Sequence, residues 1–299
     1  MQGKYKVITL CGSTGFKDEF LRIQKKLTLE GHIVISVGLF GHSGDKEVWD
    51  KKDSVLFPFV GRQKNGFYLH NGDKYEVPIH GIAPYNTFFL ESIDTNRVRV
   101  SLKSDSETMR LYPFPFALFV TYTLNGNTLK VEYKVVNTGE KTMYFFIGSH
   151  PALKIDETKG EDVDDTSGNW LDFHSEGNAT YTLVNNYLAP KQLIDSKVEL
   201  TKPLFQKYPS LVMDRKNDTV TLTRRNGKSV NVVSSSPIIC VWQDGKKGGL
   251  TAVESWWGLP DFWEETQREL KNKLGINALE PQMEFKCEYK LEFIGKQEK

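Results

Sequence analysis

The sequence predicts a mainly β protein, most of it one large antiparallel β-sandwich. Beyond residue 50, short runs rich in aromatic and β-branched residues follow one another along the chain. Asn-Gly and Asp-Gly pairs, which favour tight turns, separate many of these runs. Helical periodicity is nearly absent from this part of the chain, and no repeat of fixed period is apparent.

The predicted strands continue almost to the end of the chain. The clearest hairpin is predicted at Asn125-Gly126, because this pair lies between two alternating runs, 116–124 and 128–136. One later helix is predicted at 261–274. The other predicted strands are 66–69, 97–102, 142–147, 179–183, 211–213, 219–223, 229–233, 238–242 and 284–293.

The first 50 residues have a different pattern. An apolar run at 5–10 leads into a small-residue turn at 11–15, and apolar residues then recur at helical spacing from 16 to 27. A second apolar run follows at 32–39. This order predicts a β-α-β unit with two parallel strands.

The change of pattern divides the chain into two parts. We assign residues 1–50 to the β-α-β segment and residues 51–299 to the β-sandwich domain. A single β-α-β unit cannot build a doubly wound sheet, since its strands need neighbours and helices on both faces. We therefore expect residues 1–50 to pack loosely or separately against the β domain.

Charge and composition limit the classes of partner. The chain has 39 Lys+Arg against 38 Asp+Glu, so there is no electrostatic case for nucleic acid or an anionic membrane as the main partner. No apolar run is long enough for a membrane-spanning helix, and the N-terminal sequence does not match a secretory signal. The three cysteines, Cys11, Cys240 and Cys287, have no metal-ligand spacing and fit a reducing compartment. We expect a cytoplasmic protein without a metal or other cofactor.

Two histidines each close an apolar run in a small-residue setting. His80 is followed directly by Gly81, which permits close approach of a ligand to the backbone. His150 lies between Ser149 and Pro151 at the end of an aromatic run. From these residues alone, a structural and a catalytic role are equally supported.

An acidic residue and an arginine complete the set of candidates. Glu254 lies between an apolar run and the pair Trp256-Trp257, where burial would raise its pKa toward that of a general base. A tryptophan can stack on the C–H face of a sugar, although we expect at least one of this pair to be core. Arg62 follows a rigid Pro/Gly stretch and can donate several hydrogen bonds, but on these residues alone a surface position is the stronger interpretation.

Four motifs carry a family resemblance over about residues 54–293. They are LFPFVGR (56–62), VPIHG (77–81), GSHPAL (148–153) and VESWWGLPD (253–261). In this order and at this approximate spacing they resemble the aldose 1-epimerase (galactose mutarotase) superfamily, and more closely its LacX-like branch. The resemblance implies a galactose mutarotase-like β-supersandwich with a sugar cleft.

The resemblance also implies an activity, the metal-free interconversion of the α and β anomers of a hexose or hexose phosphate. It assigns Glu254 as base and His150 as acid. It assigns His80 and Arg62 to binding and orienting sugar oxygens, and we add Trp257 as a substrate-binding aromatic residue.

The chain departs from the family pattern at three places. Ala83-Pro84 stands where the branch often has Arg, and Ser255 follows Glu254 where Pro is usual. Residues 206–209 lack the acidic residue that is common there, so no catalytic Asp is assigned. These differences bear on sugar specificity, and the sequence leaves open whether the hexose is phosphorylated.

Two alternative functions remain at this point. The start of the chain, KVITLCGSTGFKDEF, resembles the opening of nucleoside 2-deoxyribosyltransferase-like proteins and replaces the first hairpins of the epimerase family. A cleft changed in this way could bind carbohydrate without catalysis. The turn at 11–15 could bind phosphate, although an ordinary β-α turn is the stronger interpretation.

Overall fold

The computed structural model describes residues 55–158, 165–243, 249–266 and 268–295, and the backbone alone of residues 7–10, 33–36, 53 and 54. Nearly all regular structure within these residues is β-strand. The strands are β1 Val7–Leu10, β2 Ile33–Ser36, β3 Asp53–Leu56, β4 Phe67–His70, β5 Asp73–Glu76, β6 Phe89–Ile93, β7 Arg97–Lys103, β8 Phe116–Asn125, β9 Thr128–Asn137, β10 Met143–Phe145, β11 Ile147–Lys154, β12 Trp170–Asp172, β13 Asn178–Val184, β14 Tyr187–Ile194, β15 Lys197–Glu199, β16 Ser210–Asp214, β17 Thr219–Thr223, β18 Ser229–Ser234, β19 Ile238–Gln243, β20 Leu250–Trp257, β21 Asn277–Leu279 and β22 Glu284–Ile294.

The helical elements within the described residues are short. They are two α-helices, Ser106–Leu111 and Lys202–Lys207, and three 3₁₀ turns, Lys64–Gly66, Ala83–Tyr85 and Leu270–Asn272. None of these helices is long and apolar enough to cross a membrane.

Two large sheets form the body of the molecule. One has seven strands in the order β14-β13-β16-β19-β20-β11-β3, and the other has nine in the order β15-β12-β17-β18-β22-β9-β8-β7-β6. Every strand pairing within these two sheets is antiparallel. The predicted antiparallel β-sandwich is therefore confirmed.

Alternation along the strands builds the core. In β9, the apolar residues Leu129, Val131, Tyr133 and Val135 are buried, while the residues between them are only partly buried. Each large apolar side chain that is fully buried contributes on the order of 1.5–3 kcal/mol to the free energy of unfolding. The other face of β9 carries the charged side chains of Lys130, Glu132 and Lys134.

Tight turns fix the register of the hairpins. Asn71 and Gly72 join β4 to β5 and have φ of 52° and 86°, as a two-residue hairpin turn requires. The β8–β9 hairpin is confirmed, although β8 continues through Asn125 so that Gly126 and Asn127 form the turn. Asp244-Gly245, one of the Asp-Gly pairs that predict a turn, lies outside the described residues.

The predicted helix at 261–274 is wrong. The described residues of this segment contain only the 3₁₀ turn Leu270–Asn272. Backbone groups here serve contacts distant in sequence, since Asp261 N–H donates to Arg62 O at 3.1 Å and Asp261 O accepts from Leu188 N at 3.1 Å. These groups are unavailable for the i to i−4 bonds that a helix needs.

The start of the chain is described only in part. β1 and β2 pair in parallel, with Val7 opposite Ile33, and form a two-stranded sheet of their own. This pairing agrees with the predicted β-α-β order, whereas the predicted helix and the turn at 11–15 lie outside the described residues. The division at residue 50 stays a prediction.

Candidate active site

Neighbouring strands bring His150 and Glu254 together. β11 and β20 pair with Gly148 opposite Trp256 and Ala152 opposite Ala252, so the same register places His150 opposite Glu254. Because side chains alternate along a strand, both point to one face of the seven-stranded sheet. His150 Nε2 lies 3.3 Å from Glu254 Oε1.

The carboxyl group of Glu254 is buried. Only 1% of the residue is exposed, and Trp256 Nε1–H donates a 2.9 Å hydrogen bond to Oε2. Burial raises the pKa of Glu254 well above its usual range, because it removes water from the charged form. Hydrogen bonds from Trp256 and Cys240 oppose this effect only in part.

His150 has partial access to solvent. Its side chain is 20% exposed, and burial lowers its pKa to about 4. The free site therefore favours a neutral imidazole beside a neutral carboxylic acid. One proton can then be transferred between His150 Nε2 and the Glu254 carboxyl group. A general acid acting together with a general base needs one such proton.

An unusual backbone conformation places His80. His80 and Gly81 have φ of 63° and 80°, and a Cβ on Gly81 would lie 2.4 Å from Phe57 O. Only glycine fits at position 81, because the two chain segments are in direct contact there. This packing explains the His-Gly pair that the sequence contains.

Hydrogen bonds to Gly61 fix the tautomer of His80. Gly61 N–H donates to His80 Nδ1 at 3.1 Å, and His80 N–H donates to Gly61 O at 2.8 Å. Burial lowers the pKa of His80 well below its usual range, and the charges of His150 and Arg62 add to this effect. A neutral imidazole that accepts at Nδ1 carries its proton on Nε2, so His80 is a hydrogen-bond donor at that atom.

His80 and His150 belong to one cluster. Their ring centroids are 5.7 Å apart with the rings nearly perpendicular. Arg62 is exposed, and its charge acts on both His80 and Tyr85. The structure thus brings together Glu254, His150 and His80, and the charge of Arg62 acts on His80.

Two tryptophans border this cluster. The Trp256 ring lies 6.4 Å from the His80 ring, and the Trp242 ring lies 6.1 Å from the His150 ring, measured between centroids. Trp257 follows Trp256 and so lies on the opposite face of β20 from Glu254. The structure therefore places Trp256 beside the carboxyl group instead of Trp257. Counting two residues from Glu254 along a strand would have selected Trp256 from the sequence.

A buried ion pair anchors the segment that carries Arg62. Asp261 and Lys273 form a salt bridge in which both side chains are almost fully buried. The Asp261 carboxylate also accepts a 2.8 Å hydrogen bond from Lys64 N–H. Sequence reasoning missed this pair, because 261–274 was interpreted as a helix and Lys273 carries no local signal.

No metal-binding cluster accompanies the site. Within the part of the chain that the structure describes, no group of three or more His, Cys, Asp or Glu residues is arranged to hold a metal ion.

Comparisons with known proteins identify the family of the chain. The family model for aldose 1-epimerase matches residues 40–265. The plasmid form of protein LacX from Lactococcus lactis subsp. lactis is 30% identical over 267 residues, which cover 83% of this chain and 89% of that protein.

Solved structures give the same result. A galactose mutarotase related enzyme from Lactobacillus acidophilus superposes with a TM-score of 0.77 at 28% identity, covering 86% of this chain and 88% of that chain. A galactose mutarotase-like protein from Lactobacillus casei ATCC 334 has the same fold, with a TM-score of 0.73 at 24% identity and coverage of 84% and 88%. The chain therefore belongs to the aldose 1-epimerase family and, within it, to the LacX-like branch.

Proposed function

We propose that this protein is an aldose 1-epimerase that interconverts the α and β anomers of a hexose by acid–base ring opening. One observation carries the proposal, the 3.3 Å contact between His150 Nε2 and Glu254 Oε1 in a site that is largely closed to water. Mutarotation needs one proton removed from the anomeric hydroxyl and one delivered to the ring oxygen. An acid and a base side by side can reach these two oxygens, because both are bonded to the same carbon.

The proposed mechanism uses each group twice. Glu254 takes the proton from the anomeric hydroxyl while His150 protonates the ring oxygen, and the ring opens to the aldehyde. After rotation about the first carbon–carbon bond, His150 takes that proton back and Glu254 returns its proton to the anomeric oxygen. The ring then closes on either face, and no net proton is consumed. Each proton transfer of this kind contributes about 10²–10⁴ in rate.

The pKa directions suit this exchange of roles. A neutral carboxylic acid beside a neutral imidazole is the proton arrangement that exists after ring opening. The ring-closed state requires only that the proton move from Glu254 to His150. Burial disfavours the charged arrangement, so the proton transfer from Glu254 to His150 before ring opening costs free energy, and ring opening restores the neutral pair.

Three further residues are proposed to hold the sugar. His80 donates from Nε2 to a sugar oxygen, because its Nδ1 is already engaged by Gly61. Arg62 supplies further donors from the exposed side, where a hydroxyl or a phosphate group can be bound. Trp256 replaces Trp257 as the aromatic residue beside the reacting carbon. The proposal includes both a free hexose and a hexose phosphate as substrates. It also includes a cytoplasmic location.

Polarimetry tests the proposal. Freshly dissolved α-glucose and α-galactose are followed to equilibrium with and without the protein. Faster equilibration of either sugar supports an epimerase. Saturable sugar binding by calorimetry without any acceleration would instead support the non-catalytic carbohydrate-binding alternative. If the protein neither binds nor accelerates these sugars or their 6-phosphates, both assignments are contradicted.

A further inference from the structure

A cavity lies on the nine-stranded sheet. It has a volume of about 430 Å³, and its walls come mainly from the adjacent strands β7, β8, β9 and β22. This volume falls within the range of about 300–1,000 Å³ that is usual for small-molecule sites. Nothing in the proposed mechanism uses it.

The cavity and Glu254 are on different sheets. In β7, Val98 and Val100 are buried in the core, so the alternating residues Arg97 and Arg99 face outward. Glu254 lies on β20, which belongs to the seven-stranded sheet, whereas the strands that line the cavity belong to the nine-stranded sheet.

The carboxylates around the cavity are already neutralised by lysines. Lys130 Nζ lies 3.1 Å from Glu132 Oε1 and 2.9 Å from Glu288 Oε2. Glu284 pairs in the same way with Lys134 and Lys286. These contacts leave the lining with an excess of positive charge.

That excess lies on two arginines. Arg97 and Arg99 both line the cavity, and neither forms a salt bridge with another residue in the described ranges. They are neighbours on one face of β7, two residues apart. Two guanidinium groups in this arrangement can form paired hydrogen bonds to the oxygens of one phosphate or carboxylate.

The Arg99 side chain is held in place before any ligand binds. Its guanidinium carbon lies 4.4 Å from the centroid of the Phe119 ring, a cation–π contact. Its Nε atom is buried and has no hydrogen-bond partner among the described residues. A buried donor without an acceptor costs stability, and an anionic ligand in the cavity is the group that would supply one.

Polar groups around the arginines suit hydroxyl groups. Thr121 is one of the residues that line the cavity, although it is only 7% exposed. Glu132, Glu288 and Ser235 add acceptors at the same cavity. We propose that this cavity binds a small polyhydroxylated anion, a sugar phosphate or a sugar acid, whose charged group is held by Arg97 and Arg99.

Calorimetric titration of the full chain tests the proposal. The probes are glucose 6-phosphate, glucuronate, glucose and inorganic phosphate, each with wild type, Arg99→Ala and Arg110→Ala. Arg110 is the control, because it is an exposed arginine paired with Glu107 outside the cavity. We expect at least one sugar anion to bind at least about 10-fold more weakly to Arg99→Ala, with Arg110→Ala unchanged. If glucuronate binds more tightly, the preferred charged group is a carboxylate. If glucose 6-phosphate binds more tightly, it is a phosphate.

Several outcomes would overturn the proposal. These are no binding of either sugar anion, equal binding by wild type and Arg99→Ala, and glucose or inorganic phosphate binding at this site as tightly as the sugar anions. Arg99→Lys keeps the positive charge, so its affinity for the sugar anion should lie between those of wild type and Arg99→Ala. This variant distinguishes loss of binding from misfolding of Arg99→Ala. Mutarotation by Arg99→Ala should equal wild type, so that this site and the proposed catalytic cleft fail or succeed separately.

Discussion

His150 and Glu254 are directly opposite each other on adjacent antiparallel strands, with Nε2 and Oε1 3.3 Å apart. Their distance is set by sheet register and not by a loop, so neither group has to move far to meet the other. Preorganisation of this kind is what proton transfer in catalysis requires. A one-residue slip of β11 against β20 would turn His150 to the other face of the sheet and abolish the site.

The hydrogen bond from Trp256 to Glu254 should matter for activity. In Trp256→Phe the aromatic ring is kept but the donor to Oε2 is lost. We expect kcat to fall at least about 10-fold, since hydrogen bonds to charged groups contribute about 1.5–3 kcal/mol. Trp257→Phe is the matched control, because that ring lies on the opposite face of β20. Equal losses in kcat for the two variants would show that packing alone explains the effect.

The dependence of kcat/KM on pH should reflect the pair. Burial lowers the pKa of His150 to about 4 and raises that of Glu254 above its usual range. Below the pKa of His150, this histidine gains a second proton. Above the pKa of Glu254, its carboxyl group loses its proton. In either case the pair no longer shares a single transferable proton. We therefore expect an acid limb near pH 4 and a basic limb above the usual range of a glutamate, both measured by polarimetry in buffers where circular dichroism shows a folded protein.

A control isolates the histidine responsible for this acid limb. His174→Asn removes an exposed histidine that hydrogen-bonds to Thr221 Oγ1 on the nine-stranded sheet. Its pH profile should match wild type. An acid limb centred near pH 6.5, the ordinary value for histidine, would contradict the inferred environment of His150.

His80 should affect substrate binding more than turnover. Asparagine tolerates the positive φ of this position, so His80→Asn should keep the backbone while removing the donor at Nε2. We expect KM to rise at least about 10-fold, with a smaller change in kcat. His70→Asn is the control, because His70 packs on Phe114 away from the site. An unchanged KM in His80→Asn would remove His80 from the binding residues.

The buried Asp261–Lys273 pair should contribute to stability. Lys273→Met leaves the Asp261 carboxylate buried without its partner, a change that costs about 3–5 kcal/mol. Lys74→Met breaks the exposed pair with Glu76 and should lower the free energy of unfolding far less, because water already solvates both charges. Urea unfolding measures both free energies. The double variant Asp261→Asn/Lys273→Met should recover part of the loss, and no recovery would contradict a charge-pairing role.

The fold was predictable because its signals are local. Strict alternation predicted β9, and Asn71-Gly72 predicted a turn where both residues have positive φ. The helix prediction at 261–274 failed because apolar spacing cannot report that Asp261 is bonded to Arg62, about 200 residues earlier in the sequence. Bonds between distant segments are invisible to a local pattern.

The candidate site was predictable in its parts but not in its geometry. Small residues around His80 and His150 indicated close packing, and Gly81 is indeed in direct contact with Phe57. Which tryptophan joins Glu254 depends on the strand face, and the sequence-based choice of Trp257 ignored that alternation. The tautomer of His80 depends on Gly61, which no sequence pattern identifies as its partner.

The most direct measurement of the central claim is the mutarotation rate of Glu254→Gln. Glutamine keeps the size of the side chain and removes its ability to take up and release a proton. We predict that α-glucose or α-galactose, whichever the wild type accelerates, equilibrates at least about 100-fold more slowly with Glu254→Gln. Glu107→Gln, a change to an exposed glutamate on the helix Ser106–Leu111, should equal wild type. Glu254→Gln with the full wild-type rate would contradict the account.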